Sequence, residues 1–327
     1  VGPAATALLS ALLPEACPVP VVIAESIPSW VGALDVVLAH CDDPADPVLA
    51  ESVALAARRG ARILLSAPPN GPVAAAAAGS AALVPPRVDV PLRFAFPKVF
   101  TAGLVLVETL GLLHTDLDAL ADALDAEAAR NQPAQESFVN PAKSLALRLA
   151  ERTPLLWGTD LAGTAVAEHA AQTLAAHAGM VSDVASYQQA TTRPALHRAA
   201  VASTSGKDIF ADPDDDDDLF GERRLLRVLL IGVQPDSSAE PSRWAAGRAL
   251  PGADLIDPVA EIAEGEHTVG RPPDGDLTLS DPIAMPGPAT AVRNAGVLAL
   301  RFEMAALYLG LAAGTLGGPG RLAPAAL

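Results

Sequence analysis

The segment from Asp35 to Ala67 constrains the fold more than any other in the chain. It places two β-rich apolar runs, Asp35–Cys41 and Ala61–Ala67, on either side of one helix whose two ends are both marked. Asp46 offers an N-cap oxygen, Pro47 takes the first helical position where a missing N–H costs nothing, and Gly60 closes the end after Arg58 and Arg59. Strand, helix, strand at this spacing dictates a parallel pair with a right-handed crossover. Val21–Glu25 and Ala81–Val84 are bounded by Pro, Gly or Asp in the same way and are expected to be strands. The fold class is α/β, with parallel sheets between helices.

A helix is expected over Ala95–Leu113, and another opens at Asp116, where Leu117, Leu120, Leu124 and Ala128 form one apolar stripe. The polar stretch Arg130–Asn140 breaks that pattern and reads as a domain junction. A second alternating unit follows: helix Pro141–Glu151, strand Leu155–Thr159, helix Gly163–Ala178, strands Arg227–Gly232 and Ala253–Val259, and a final helix from about Ala289 to Ala312. It is a second copy of the same architecture without a recognisable sequence repeat. The expected organisation is a first domain over 1–115, connecting helices over 116–150, and a second domain over 151–327 with a loose Gly- and Pro-rich tail from Gly314. A chain of 327 residues suffices for two buried cores. Ala202–Gly221, Gly232–Pro241 and Glu264–Pro288 read as loosely structured. The opening residues Val1–Thr6 read as a turn running into a helix through Leu13; such a turn follows a strand, so residues upstream of Val1 are expected.

Half the residues are hydrophobic and only 4% are aromatic, so the cores must be built mainly from Ala, Val and Leu. The apolar stretches Phe100–Leu113 and Ala295–Gly314 are interrupted by Glu108 and by Arg301 and Glu303, which argues for buried helices over membrane spans. A formal charge of −16 repels nucleic-acid backbones and anionic membranes, so neither is an expected partner. Cys17 and Cys41 offer neither metal spacing nor a disulfide framework, which fits a reducing cytoplasm. The run Asp214–Asp218 invites a metal reading, but five adjacent carboxylates lack the spaced ligands of a calcium loop, and a solvated acidic loop is the better account. No metal or other cofactor is expected.

Asn140-Pro141-Ala142-Lys143-Ser144-Leu145-Ala146, followed by Arg152-Thr153-Pro154-Leu155-Leu156-Trp157-Gly158, resembles the inter-domain signature of the bifunctional phosphoglucose/phosphomannose isomerases. Ile27-Pro28-Ser29-Trp30-Val31 and Arg58-Arg59-Gly60-Ala61-Arg62 resemble two further segments of that family, in the same order. The likeness runs from residue 1 to about 180 and is nearest to a divergent actinobacterial branch, the TobH-like proteins. It implies tandem sugar-isomerase (SIS) domains, each a Rossmann-like parallel sheet flanked by helices, in a homodimer that takes a sugar or sugar-phosphate ligand. The family chemistry is aldose–ketose isomerisation of a hexose 6-phosphate. It needs hydroxyls and backbone N–H groups for the phosphate and a carboxylate that moves a proton between C1 and C2.

The resemblance also shows where this chain departs from the family. At the place of the Ser-rich phosphate loop stands Cys41-Asp42-Asp43-Pro44-Ala45-Asp46-Pro47, with Asp43 and Asp46 in place of hydroxyl-bearing residues. A carboxylate about 4 Å from a phosphate oxygen costs about 4 kcal/mol at an effective dielectric near 20, roughly a thousandfold in affinity. Asp46 as an N-cap also occupies the helix terminus that otherwise holds an anion. Ala171 falls where the family base is expected. Glu168, three residues earlier, is the candidate displaced base, with a solvent-facing helix carboxylate as the alternative. Gln188 or Gln189 replaces the ring-opening His, and His169, His177 and His197 read as structural. Arg93 and Thr6 match family residues that reach the substrate, so Thr6, Arg93, Asp43 and Asp46 are the substrate-binding candidates. Asn140 and Lys143 read as residues that stabilise the junction helix. Two functions follow: an isomerase acting through an enediol with Glu168 as base, or a non-catalytic relative that binds a neutral or cationic sugar derivative or a partner protein. A DNA-binding SIS regulator is disfavoured by the acidic charge.

Overall fold

A computed structural model describes residues 2–88, 94–204, 225–234, 240–258 and 287–316. The chain divides between Leu117 and Asp118 into two compact units.

The first unit runs α1 (Gly2–Leu12), β1 (Val36–His40), α2 (Pro47–Arg58), β2 (Arg62–Ser66), α3 (Pro72–Ala76), β3 (Ala81–Leu83) and α4 (Phe96–Thr109). The strands lie in the order β1-β2-β3, all parallel, with Val36 opposite Arg62 and His40 opposite Ser66. The expected helix between β1 and β2 is α2, which buries Leu49, Val53 and Ala56, one face at helical spacing. They pack with Ile63, Leu65, Val73 and Val31. Helix α1 packs on α4, where the rings of Phe96 and Phe100 stack at 5.6 Å.

Two expectations fail here. Val21–Glu25 forms no strand: Pro18 and Pro20 remove donors just before it, and Val21, Val22 and Ile23 are exposed without a sheet partner. The opening residues form no turn, because the helix begins at Gly2 with Pro3 in its first turn, where proline is tolerated. Ala4, Ala5 and Leu8 are buried along one side of it. Thr6 therefore sits inside a helix and not in a loop.

The second unit runs α5 (Leu117–Arg130), α6 (Pro141–Leu149), β4 (Thr153–Gly158), α7 (Leu161–Ala178), β5 (Asp183–Ser186), α8 (Tyr187–Thr191), α9 (Pro194–Thr204), β6 (Leu226–Ile231), α10 (Glu240–Ala249), β7 (Asp254–Ile256) and α11 (Pro288–Ala312). The parallel sheet has the order β5-β4-β6-β7. Residues alternate across it: Leu155, Trp157, Val228 and Leu230 join Ala246 and Leu250 in one core, and Leu156, Leu229 and Ile231 are buried on the other face. Burial on both faces is why these strands read as continuous apolar runs. Strand β5 and helices α3, α8, α9 and α10 were not legible from periodicity. Of the stretches expected to be loose, 202–204 end α9 and 240–241 open α10. The acidic run Asp214–Asp218 and the tail beyond residue 316 lie outside the described residues.

By length and hydropathy α11 is apolar enough to cross a membrane, but it is a core helix here. It packs along α7 and α6, and it buries Arg301 and Glu303. Arg301 Nε donates to Glu127 Oε1 at 2.8 Å, and Glu303 lies 3.4 Å from the His169 ring on α7.

Candidate functional site

In an open parallel sheet, the strand ends converge on a crevice at their C-terminal edge, and helices start there with unpaired N–H groups pointing into it. In the first unit that edge carries His40, Cys41 and Asp42 at the end of β1, and Ser66 at the end of β2. His40 Nδ1 lies 2.9 Å from the Ser66 carbonyl oxygen and 3.2 Å from Ser66 Oγ, while Nε2 lies 3.3 Å from Asp42 Oδ1. The imidazole thus bridges a buried serine and a half-buried carboxylate. The His40 hydrogen bond holds the Asp42 carboxyl below its ordinary range against the opposing effect of burial, helped by the charges of His40 and of Lys98 on α4. Burial pulls the Lys98 ammonium down, opposed by Asp42 and Cys41.

Cys41 is buried beside this pair. Burial first, then the carboxylates of Asp42, Asp46 and Asp43, push its thiol up to about 11. A thiol so protonated is a packing residue and no nucleophile at neutral pH.

The following loop fills its own anion site. Asp46 Oδ1 accepts the N–H groups of Val48 at 2.9 Å and Leu49 at 3.0 Å, and Asp43 Oδ1 accepts that of Ala45 at 2.8 Å. The donors at the start of α2 are covered by a carboxylate belonging to the chain.

The second unit repeats the device at β4–α7, which sequence reasoning missed. Asp160 Oδ1 accepts from Gly163 N–H at 2.6 Å, and its Oδ2 accepts from Val233 at 2.9 Å and Gln234 at 3.1 Å, beyond the end of β6. One side chain thereby satisfies three backbone donors from two strand–loop junctions. Gly163 is required by this close approach, because a Cβ there would meet the Ile231 carbonyl oxygen. The available signal was an Asp three residues ahead of Gly163, just after a buried strand.

No protein-family model matches the chain, and no curated protein matches it in sequence. Solved structures do match it in fold. The C-terminal domain of glucosamine-fructose-6-phosphate aminotransferase from Francisella tularensis aligns over 96% of this chain and 83% of its own, with a TM-score of 0.57 and 11% identity. Tagatose-6-phosphate ketose/aldose isomerase from Escherichia coli aligns over 87% and 70%, with a TM-score of 0.54 and 10% identity. Glucosamine-6-phosphate deaminase from Thermotoga maritima aligns over 95% and 83%, with a TM-score of 0.53 and 10% identity.

The chain has the sugar-isomerase fold.

Within that SIS fold the expected site residues are distributed unevenly. Asp43 and Asp46 lie together at the C-terminal edge of the first sheet with Asp42 of the same acidic loop, and with His40, Ser66 and Lys98, none of which stood out by sequence. Thr6 is half-buried within α1, and Arg93 lies outside the described residues. Glu168 is exposed on α7, and Ala171 is half-buried on the same helix. Gln189 completes a capping box with Ser186 at the start of α8, and Gln188 is exposed beside it. His169 and His177 are buried on α7, and the His197 ring stacks on Trp157 at 6.1 Å.

The Asn-Pro-Ala-Lys stretch starts α6 and is held by local contacts. Asn140 caps α6 by accepting the Lys143 N–H at 2.8 Å, and its amide donates to Gln132 O at 3.1 Å. Lys143 Nζ donates to the carbonyls of Pro133 and Gln135, each at 2.7 Å, and lies over the Tyr308 ring. Beneath it, Asn131 Oδ1 accepts from Ala142 N–H at 2.8 Å, its amide donates to the buried Glu127, and Tyr308 donates to its carbonyl.

Proposed function

We propose that this chain is a phosphoglucose/phosphomannose isomerase-like SIS protein of sugar metabolism, of the TobH-like branch, whose crevice takes a sugar derivative lacking a phosphate dianion. The observation that carries this reading is the carboxylate at each helix start: Asp46 accepts the Val48 and Leu49 N–H groups of α2, and Asp160 accepts the Gly163 N–H of α7. A dianion entering either place meets fixed negative charge where a phosphate loop offers donors. Asp42 and Asp43 add to that charge in the first unit. A neutral sugar, or one bearing an amine, suits such a mouth. The relation to phosphosugar proteins rests on fold, and the narrower family on the residues around Asn140. The protein is read as a cytoplasmic homodimer, with Leu34 and Trp30 among its exposed large apolar side chains.

A second reading, catalysis, is favoured by the His40–Asp42 pair, an acid–base couple at the same edge. On α7, Glu168 is available only as an exposed carboxylate. One experiment separates the two. The full chain is screened by thermal shift against glucose, mannose, glucosamine, and the 6-phosphates of glucose, mannose and fructose, with a coupled isomerase assay alongside. Selective stabilisation by an unphosphorylated sugar without turnover supports the proposal. Stabilisation by hexose 6-phosphates with turnover at an ordinary enzymatic rate overturns it in favour of the second reading.

A further inference from the structure

The opposite end of the second sheet carries a cluster of charge that the C-terminal edge does not use. A groove of about 430 Å³ is lined by Arg148, Arg152, Arg227, Ser137, Ser144 and Phe138. Arg152 immediately precedes β4 and Arg227 is the second residue of β6, so the groove lies at the N-terminal edge of these strands. Its volume falls in the range of small-molecule sites, ~300–1,000 Å³.

The chain as a whole is acidic, with 22 Lys and Arg against 38 Asp and Glu, yet three arginines converge here. Asp254 compensates part of that charge: Arg227 holds it through Nε and Nη2, each at 2.5 Å, and Arg148 Nη1 lies 3.9 Å away. Among the described residues, Asp254 is the carboxylate that pairs with these groove-lining guanidinium groups, through Arg227 and Arg148. Arg148 also donates to Ser144 Oγ at 3.2 Å, which orients it. Arg152 makes no ion pair among the described residues and is exposed. It is brought beside Arg148 by a tight turn in which its N–H bonds Leu149 O at 3.1 Å and Glu151 takes a φ of 58°. A non-glycine residue in that left-handed region is uncommon.

We propose that this groove binds a phosphorylated small molecule carrying a flat ring, a nucleotide in chemical class, at a site separate from the sugar crevice. Guanidinium forks match phosphate oxygens in pairs, and the serine hydroxyls add adaptable donors. Phe138 is 85% exposed on the groove wall and offers a ring face for stacking. Leu147, also exposed on that wall, extends the apolar side. The overall negative charge does not forbid an anion here, since charges beyond about 8 Å are largely screened at physiological ionic strength.

The test is calorimetric titration of the full chain with AMP, ribose 5-phosphate, inorganic phosphate and adenosine. AMP is expected to bind most tightly, and Arg152→Ala to weaken it by about tenfold or more, the loss of one charge-assisted contact. Phe138→Ala is expected to weaken AMP while leaving ribose 5-phosphate unchanged. Both side chains are exposed, so both variants should melt like wild type, and a melting curve checks this. Absence of AMP binding at millimolar concentration overturns the proposal, as does AMP binding that neither Arg152→Ala nor Arg148→Ala alters. Inorganic phosphate binding as tightly as AMP overturns the ring-bearing ligand. Neither failure bears on the sugar crevice, which is argued from the C-terminal strand edges and other residues.

Discussion

Asp46 and Asp160 occupy equivalent places in the two units: each follows a parallel strand and caps the helix that leaves it, with its carboxylate on the first backbone N–H groups. They differ in reach. Asp46 Oδ1 serves two donors of its own helix, whereas Asp160 also holds Val233 and Gln234 across the sheet edge. One is a local cap. The other ties two strand ends together, and the predictions for them diverge accordingly.

Replacing Asp43 by Ser and Asp46 by Thr should raise affinity for hexose 6-phosphates, because two fixed charges leave the mouth and the hydroxyls can donate. Stability should change by no more than about 1 kcal/mol, since Thr also caps helices. Turnover should stay absent, because Ala171 supplies no carboxylate. Thermal shift and a coupled assay on the double variant measure both; unchanged phosphosugar binding would count against the charge argument.

Asp160→Ala should destabilise the second unit by about 2–4 kcal/mol, more than an ordinary cap loss, because three backbone donors lose their acceptor together. Urea denaturation compares it with Asp46→Ala, for which about 1 kcal/mol is expected. Equal losses in the two variants would deny the cross-sheet role of Asp160.

Glu127 should make stability fall in acid. It is fully buried, and although burial alone raises a carboxyl, the Arg301 hydrogen bond and charge, with Asn131 and Arg130, hold it below its ordinary range. Its folded value is lower than its unfolded one. It therefore contributes stability above the unfolded value, near 4.5, and that contribution is lost as pH falls through the lower folded value. Denaturant melts from pH 7 down to 3 should show this slope, and Glu127→Gln should flatten it. Arg301→Met should cost about 3–5 kcal/mol at neutral pH by leaving that carboxylate without its principal partner.

Cys41 should resist alkylation. With its thiol pushed up to about 11 and its side chain buried, it should react with iodoacetamide at pH 8 far more slowly than the half-buried Cys17. Peptide mapping after timed labelling reports the two rates separately, and rapid labelling of Cys41 in folded protein would contradict the packing described for the β1–α2 loop.

Part of this molecule was written in local chemistry. The pair β1 and β2 with its crossover helix was legible because Asp46, Pro47 and Gly60 mark a helix at both ends and the flanking strands centre on the short apolar runs 36–39 and 63–65. The covering of the α2 start by Asp46 followed from the same residues, since an N-cap acts within one turn. Local chemistry also misled. Val21-Val22-Ile23 carries strand propensity, but a strand exists only where another supplies hydrogen bonds, and none pairs with it among the described residues. Pro3 and the small residues around it read as a turn until packing on α4 made them the first turn of a helix.

What tertiary structure alone decided are the relationships between residues far apart in the chain. His40 meets Ser66 because parallel register places the ends of β1 and β2 side by side. Asp160 meets Val233 and Gln234 because β4 and β6 are neighbours although β5 intervenes in sequence. Arg301 finds Glu127 across 174 positions. Periodicity reports which face of an element is buried, and capping residues report where it starts. Neither carries the order of strands in a sheet, because that order is set by how whole elements pack, and it is the strand order that brings these polar side chains together.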